Sequence, residues 1–483
     1  MTLHLDRSSA LASRELDEEN PYLIGPYEPV HEERTLALRV LEGALPEDLN
    51  GVYVRNGPNP QHHPIGRYHW FDGDGMVHAV HFSEGAATYR NRWVRTDGFV
   101  AERDADRAIY SGILEPFAAN PDSREKDSAS TDVVFHRDRL LALWYRAGSP
   151  YALDAVTLET LGREDFGGSL AAEMSAHAKV DEHTGELLFF DYGINRPHMR
   201  YGVVSPEGRV IHYVGVELPG PRLPHDMAAS EHYSILMDLP LIADPAAAAA
   251  GRHRIVFDRE LPARFALIPR YGGAEEVRWF EAAPCYIYHS INAWEEGDEV
   301  ILDVCRVKQP KPLPAGASPL AKMLGYLRLD AHVHRYRFDL RRGTTSEESL
   351  DDDNCEFPSI RLDRMGRASR YSYNMHISPE KTLLFDGITK FDSHEARGET
   401  HWFGEGRWGS EAPFAARPGS SSEDDGYLIS YVYDERDHSS EVHVLDARAL
   451  TERPLCRLGL PGRVPLGFHA TWVDGARLPG GSA

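Results

Sequence analysis

From residue 35 onward the chain is a succession of short apolar runs. LALRVLEG, GVYVRNG, HAVHFSEGAATYRNRWV, DVVFHRDRLLALWY, GELLFFDYG, HYSILMDLPL, EVILDVCRV, HVHRYRFDL, YLISYVYD and EVHVLDA alternate apolar with polar positions or are dense in β-branched and aromatic residues. Gly, Pro, Asp and Asn punctuate them, so each is predicted to be a strand. In HFSEGAATY, KVDEHTGELLFFDY and VVSPEGRVIHY a turn of the EG or TG type separates two such runs, the pattern of antiparallel hairpins. Helical periodicity is scarce. LIADPAAAAAGRH and PLPAGASPLAKMLGYLRL break the strand pattern and are predicted to be loops or short helices between sheets. Strand–turn–strand units repeated along one chain predict an all-β architecture, a propeller or a stack of sheets, without a strict sequence period. Residues 1–20 are polar and charged and are predicted to form a flexible arm before a single domain over 21–483.

Composition narrows the class. With 42% hydrophobic and 26% charged residues over 483 positions, the chain can bury a large core. Its formal net charge is −23, and no Lys/Arg cluster interleaves with aromatics, which argues against nucleic acid as a partner. Cys285, Cys305, Cys355 and Cys456 are far apart, so neither a disulfide framework nor a thiolate metal site is indicated, and a cytoplasmic setting is expected. The first residues lack the apolar segment of an export signal and no apolar run reaches about 18 residues, so a soluble or at most peripheral protein is expected. No feature sets an oligomeric state.

Four of the 24 histidines stand in distinctive phrases: His177 in MSAHAKVD, His225 in LPHDMAAS, His289 in CYIYHSINAWEE and His469 in VPLGFHATW. Each sits among apolar or small residues beside turn formers, where a strand end can present an imidazole to a cavity. A metal site made only of imidazole is the natural first reading. The spacings, 225 − 177 = 48, 289 − 225 = 64 and 469 − 289 = 180, exclude a local finger or a helix-borne pair, so distant strands must gather the ligands. A propeller does this, because its inner strands converge on one axis. By contrast His62, His63, His69, His78, His81, His332 and His334 lie on polar loops or alternating strands and are expected to be solvated. FDGDGM at 71–76 reads as a tight hairpin turn rather than a calcium loop, NGPNP at 56–60 as fixed turn geometry, and DDDN at 351–354 as a solvated loop. A non-catalytic propeller that binds a hydrophobic ligand stays open at this stage. A calcium-dependent propeller hydrolase would want Asp, Asn and Glu at the axis, and such phrases are missing.

RNGPNP, WFDGDGMVH, SAHAKVD, HDMA, YHSINAWEE, EFP and GFHATW together resemble the carotenoid cleavage oxygenase family from about residue 20 to about residue 475. The resemblance implies a seven-bladed β-propeller, with loops and short helices capping one face over an axial non-haem Fe(II) held by His177, His225, His289 and His469. It implies a dioxygenase that uses O₂ to split a conjugated C=C bond of a lipophilic alkene, an apocarotenoid or an aryl-alkene such as a stilbene or phenylpropanoid, into two aldehyde or ketone products. Isomerisation, alone or coupled to hydrolysis, on the same iron propeller is the alternative. No protein acid or base beyond the metal centre is implied. Glu356 in CEFPSI and Glu411 in GSEAPF match two of the three glutamates that partner the ligand imidazoles in the family. At the third place Tyr145 stands in LALWYRAGSPYALD, where a phenol cannot supply a carboxylate's charge, and His225 is the ligand this affects. Relatives that cleave hydroxystilbenes or isoeugenol carry Lys just before that glutamate; here it is Trp144. Tyr110, Trp144, Tyr286 and Tyr288 are candidates for an aromatic substrate tunnel, with ordinary core packing as the alternative. The loop at 239–251 is a candidate for weak peripheral membrane contact.

Overall fold

The computed structural model describes residues 20–479 apart from 116, 118, 119, 147, 172, 244–254, 308–326 and 328, together with the strand Thr2–Leu3. Seven antiparallel sheets form the blades of a β-propeller. Six of them open from the axis with Asp132–His136 (blade II), Lys179–Val180 (III), Ala228–Ala229 (IV), Tyr286–Glu296 (V), Cys355–Ser359 (VI) and the split strand Arg407–Gly409 and Phe414–Ala416 (VII). Blade I is innermost at Ala470–Asp474, which pairs with Gly51–Pro58 through Trp472↔Tyr53 and Thr471↔Val54. The early strand Arg39–Gly43 is in turn the outermost strand of blade VII, pairing with Cys456–Gly459. The ring is thus closed twice, by a late strand in the first blade and an early strand in the last.

Position within a blade decides the sequence pattern. Gly51–Pro58, Leu187–Tyr192 and Gly426–Asp434 are buried at every position, since both faces of such strands meet neighbouring blades, and they read as continuous apolar runs. Outer strands such as Thr160–Arg163 and Val210–Glu217 face solvent on one side and alternate. Between blades I and II, Val52, Val54, Val77 and Ala79 pack on Val133, Phe135, Leu140 and Ala142; between III and IV, Leu188, Phe190 and Tyr201 meet Leu236, Ala266 and Ile268.

Three expectations need correction. NGPNP at 56–60 is not a turn, since Asn56, Gly57 and Pro58 end the buried strand Gly51–Pro58. His69, His78 and His334 are buried rather than solvated: His78 and His334 because a polar position on a strand covered on both faces still points into protein, His69 because it caps the buried turn Trp70–Asp72. The His78 ring pairs with the Tyr89 hydroxyl at 2.8 Å and His334 with Glu347 at 3.1 Å, while His69 Nδ1 accepts the Phe71 N–H. FDGDGM is no hairpin turn. Trp70–Asp72 is a capped 3-10 turn that leads into Gly75–Ser83, and the Asp72 carboxylate accepts the N–H groups of His69 (2.8 Å) and Ile113 (2.9 Å). Asp72 thereby ties its own turn to the segment between Trp93 and Asp132 that carries Ile113. That segment also carries the helix Asp97–Ala105, started by Thr96 accepting from the Phe99 N–H.

Among the described residues no helix is long and apolar enough to cross a membrane. Of the loop at 239–251, residues from 244 onward lie outside the described residues, as does most of PLPAGASPLAKMLGYLRL. Of the arm at 1–20, Thr2–Leu3 pairs with Ile255–Phe257, and residues 4–19 lie outside the described residues.

Candidate metal centre

His177, His225 and His469 precede the inner strands of blades III, IV and I by one to three residues, and His289 sits on that of blade V where the register shifts between Ile287 and Ser290. Four separate sheets therefore deliver four imidazoles to one end of the axis. Ring centroids lie 4.8 Å apart for His177–His225, 4.9 Å for His177–His289, 4.6 Å for His177–His469, 5.2 Å for His225–His289 and 4.6 Å for His289–His469. All four are buried. The candidate ligand atoms of His177, His225 and His289 lie within 4.8 Å of one another, and Nε2 of both His177 and His289 is buried without a hydrogen-bond partner. A buried polar atom left unpaired is costly, and two of them facing one point call for an occupant.

Electrostatics suit a cation. Burial, reinforced by the neighbouring imidazoles, holds His177, His225 and His289 well below the ordinary histidine range, so they are neutral rings with a lone pair to give. At His469 burial also disfavours the charged form, but the Glu411 carboxylate together with Asp132 and Asp226 outweighs it and raises the imidazole above its ordinary value. Neutral nitrogen donors without a thiolate suit iron, copper, nickel or zinc among the common divalent metals.

Glu356 and Glu411 each meet one of these rings. Glu356, fully buried on the inner strand of blade VI, accepts from Nδ1 of His289 and from the Phe357 N–H at 2.8 Å. Glu411 of blade VII faces Nδ1 of His469 at 3.3 Å and accepts the Ala470 N–H. In both rings the carboxylate occupies Nδ1 and leaves Nε2 to point inward. His225 has an aromatic setting instead: Tyr145 lies 6.1 Å and Tyr288 5.1 Å from its ring, centroid to centroid. Gly57 makes room for the segment that leads to His469, since a Cβ there would stand 2.7 Å from the Gly467 Cα.

Sequence reasoning missed two further acids. Asp132, first in the inner strand of blade II, accepts the backbone N–H of His177 at 2.8 Å. This holds His177 at a φ of +68°, a left-handed conformation that a non-glycine residue adopts only under restraint. Asp226, directly after His225, accepts the N–H of Ser290, directly after His289, at 2.7 Å. The signal was present as a lone acid at the start of an otherwise apolar run in TDVVF and beside the ligand in HDMA, but an acid next to a turn ordinarily reads as a turn residue.

The four aromatic candidates fall into two groups. Tyr110 and Trp144 line a cleft shared with Ile65, Ile113, Asp72 and Lys126. Tyr286 and Tyr288 are buried on the strand of His289, 4.8 Å apart. Trp144 packs edge-on against Tyr145 at 5.9 Å, so Trp144 and Tyr145 form an aromatic wall between the cleft and His225.

Residues 27–474 match the family model described as retinal pigment epithelial membrane protein. Carotenoid 9,10(9′,10′)-cleavage dioxygenase 1 of Phaseolus vulgaris is 36% identical over 494 aligned residues, covering 95% of this chain and 90% of that protein. Isoeugenol monooxygenase of Pseudomonas nitroreducens is 29% identical, with 95% and 99% covered. The crystal structure of the lignostilbene dioxygenase of Pseudomonas brassicacearum superposes with a TM-score of 0.85 at 29% identity, covering 95% of this chain and 99% of that one.

Proposed function

Because the chain belongs to the carotenoid cleavage oxygenase family, we propose that it is an oxygenase that cleaves a conjugated C=C bond at a ferrous ion held by His177, His225, His289 and His469. The observation that carries the reading is the convergence of four buried imidazoles, two with unpartnered Nε2 atoms and two with a glutamate on Nδ1. When bound, Fe(II) supplies the redox centre at which dioxygen and the alkene react.

The protein's own residues do the rest. Glu356 and Glu411 orient the His289 and His469 rings and make them stronger donors through their Nδ1 protons. Tyr145 and Tyr288 surround His225 with aromatic surface, which excludes water from that side of the centre. Trp144 gives the cleft a flat apolar wall suited to a polyene or an aryl ring, and it cannot pair with a phenolate as a lysine would. An apolar conjugated alkene, apocarotenoid or aryl-alkene, is the substrate class this chemistry favours.

Incubating Fe(II)-loaded protein under ¹⁸O₂ with a panel of apocarotenals, resveratrol-type stilbenes and isoeugenol, then weighing the carbonyl products, tests the reading. Label in both fragments, after correction for exchange with water, is the expected result. Label from water alone, or isomerised substrate without cleavage, refutes oxygenation in favour of the isomerase or isomerohydrolase alternative.

A further inference from the structure

Asp226 touches the strands or strand ends that carry three of the four imidazoles. Its Oδ2 accepts both the backbone N–H and the hydroxyl of Ser290, each at 2.7 Å, and its Oδ1 accepts the Met227 N–H at 2.7 Å. The Lys179 ammonium lies 2.7 Å from the same Oδ1. Ser290 follows His289, Lys179 stands two residues after His177, and Asp226 itself follows His225. One buried acid of blade IV thus reaches into blade III on one side and blade V on the other.

We propose that Asp226 is the positioning residue that fixes His177, His225 and His289 relative to one another, which rests on reading these imidazoles as a metal site. Propeller blades are separate sheets held by side-chain packing, and the backbone hydrogen bonds within each sheet do not set its offset from the next. A metal tolerates only a few tenths of an ångström of error in ligand placement. Three ligands from three sheets are placed that well only if something polar and directional spans the sheets beside them. Asp226 does so at the residues adjoining the ligands, and its lone pairs are fully used there. Glu356 and Glu411 act differently, since each meets an imidazole ring, whereas Asp226 meets only backbone, hydroxyl and ammonium donors. Asp132 restrains the His177 backbone alone.

The competing role for Asp226 is simple neutralisation of Lys179, and the test separates the two. Metal-free full-length protein is titrated anaerobically with Co(II), reading affinity and the visible ligand-field spectrum, and the melting temperature is measured without metal. Asp226→Ala is expected to weaken Co(II) binding about 10–100-fold and to alter the spectrum while melting stays cooperative. The double variant Asp226→Ala with Lys179→Ala restores the charge balance but not the ties, and is expected to remain as weak. Ser290→Ala keeps both charges and loses one tie, for about a fivefold loss, the weight of one hydrogen bond. Recovery of wild-type affinity and spectrum in the double variant overturns the proposal, as does a wild-type result for Asp226→Ala. If Asp226→Ala does not fold, Ser290→Ala decides alone, and wild-type behaviour there overturns it. A wild-type protein that takes up no Co(II) overturns the metal-site reading itself, and the proposal with it.

Discussion

Replacing Glu356 by Gln isolates the charge of one carboxylate. Glu356 is fully buried, and its Oε2 accepts both the Nδ1 proton of His289 and the Phe357 N–H. Burial pushes the Glu356 carboxyl well above the ordinary carboxylate range, opposed by the Phe357 N–H and by His469, so its anion depends on a cation held at the imidazoles. Glutamine has the same shape and still offers a carbonyl oxygen to both donors, so with the cation bound what disappears is the anion. A hydrogen bond to a charged group contributes about 1.5–3 kcal/mol and a neutral one about 1 kcal/mol, a difference of roughly 0.5–2 kcal/mol. At about 1.4 kcal/mol per decade the loss in metal affinity centres near tenfold, at the lower edge of the roughly 10–100-fold typical of ligand partners. The assay is an anaerobic competition titration of metal-free protein with Fe(II), followed by turnover at saturating iron. Tyr145→Phe is the control: it keeps the aromatic contact with His225 and removes only a hydroxyl. The Glu356 variant is expected to lose about tenfold and the Tyr145 variant no more than about twofold, the worth of a fraction of one hydrogen bond. Equal losses in the two, or none at Glu356, would refute the argument that carboxylate charge tunes the His289 imidazole.

Three further outcomes are expected. His469→Ala should abolish iron-dependent turnover, and full activity in that variant would break the four-ligand assignment. Gly57→Ala places a methyl group 2.7 Å from the Gly467 Cα, so the His469 segment must shift. Destabilisation of about 1–3 kcal/mol with weaker iron uptake should follow, read by thermal melting and metal titration. The third concerns pH. Burial pushes the Asp72 carboxyl up to about 7, against the opposing N–H groups of Ile113 and His69. Between its unfolded value near 3.8 and about 7 the folded state then holds a proton that the unfolded state has lost, so this group's contribution to stability falls as pH rises through that window. Melting temperatures of wild type should drop more steeply from pH 4 to pH 7 than those of Asp72→Asn; parallel curves would remove Asp72 from the account.

Much of this was legible in the chain. The strand pattern gave an all-β architecture, because blade edges alternate and blade interiors run apolar, and the four histidines stood out because their flanks are small or apolar. Glu356 and Glu411 were legible only through the motifs around them; nothing in their spacing says that they meet His289 and His469. Asp132 and Asp226 were not legible, since their partners are backbone N–H groups 45 and 64 residues away, and a backbone donor leaves no mark in a sequence. His78 and His334 were misread for a related reason: alternation within one strand is silent about whether a second sheet covers its polar side. The double closure was equally hidden, as in the Arg457–Glu42 ion pair at 2.7 Å between residues 415 positions apart.

That closure links the ring's integrity to the count of imidazoles at the axis. His469 adjoins the strand Ala470–Asp474, so its place is defined only once that strand has docked on Gly51–Pro58. During synthesis the other three emerge at least 180 residues earlier, so until blade I is finished only three of the four imidazoles can meet at the axis. Whatever loosens the seam between first and last strands removes one donor while leaving the other three blades in register. If the four imidazoles hold an ion, the number of nitrogens bound to it would record whether the circle is shut, and an open circle would exchange the ion faster than a closed one.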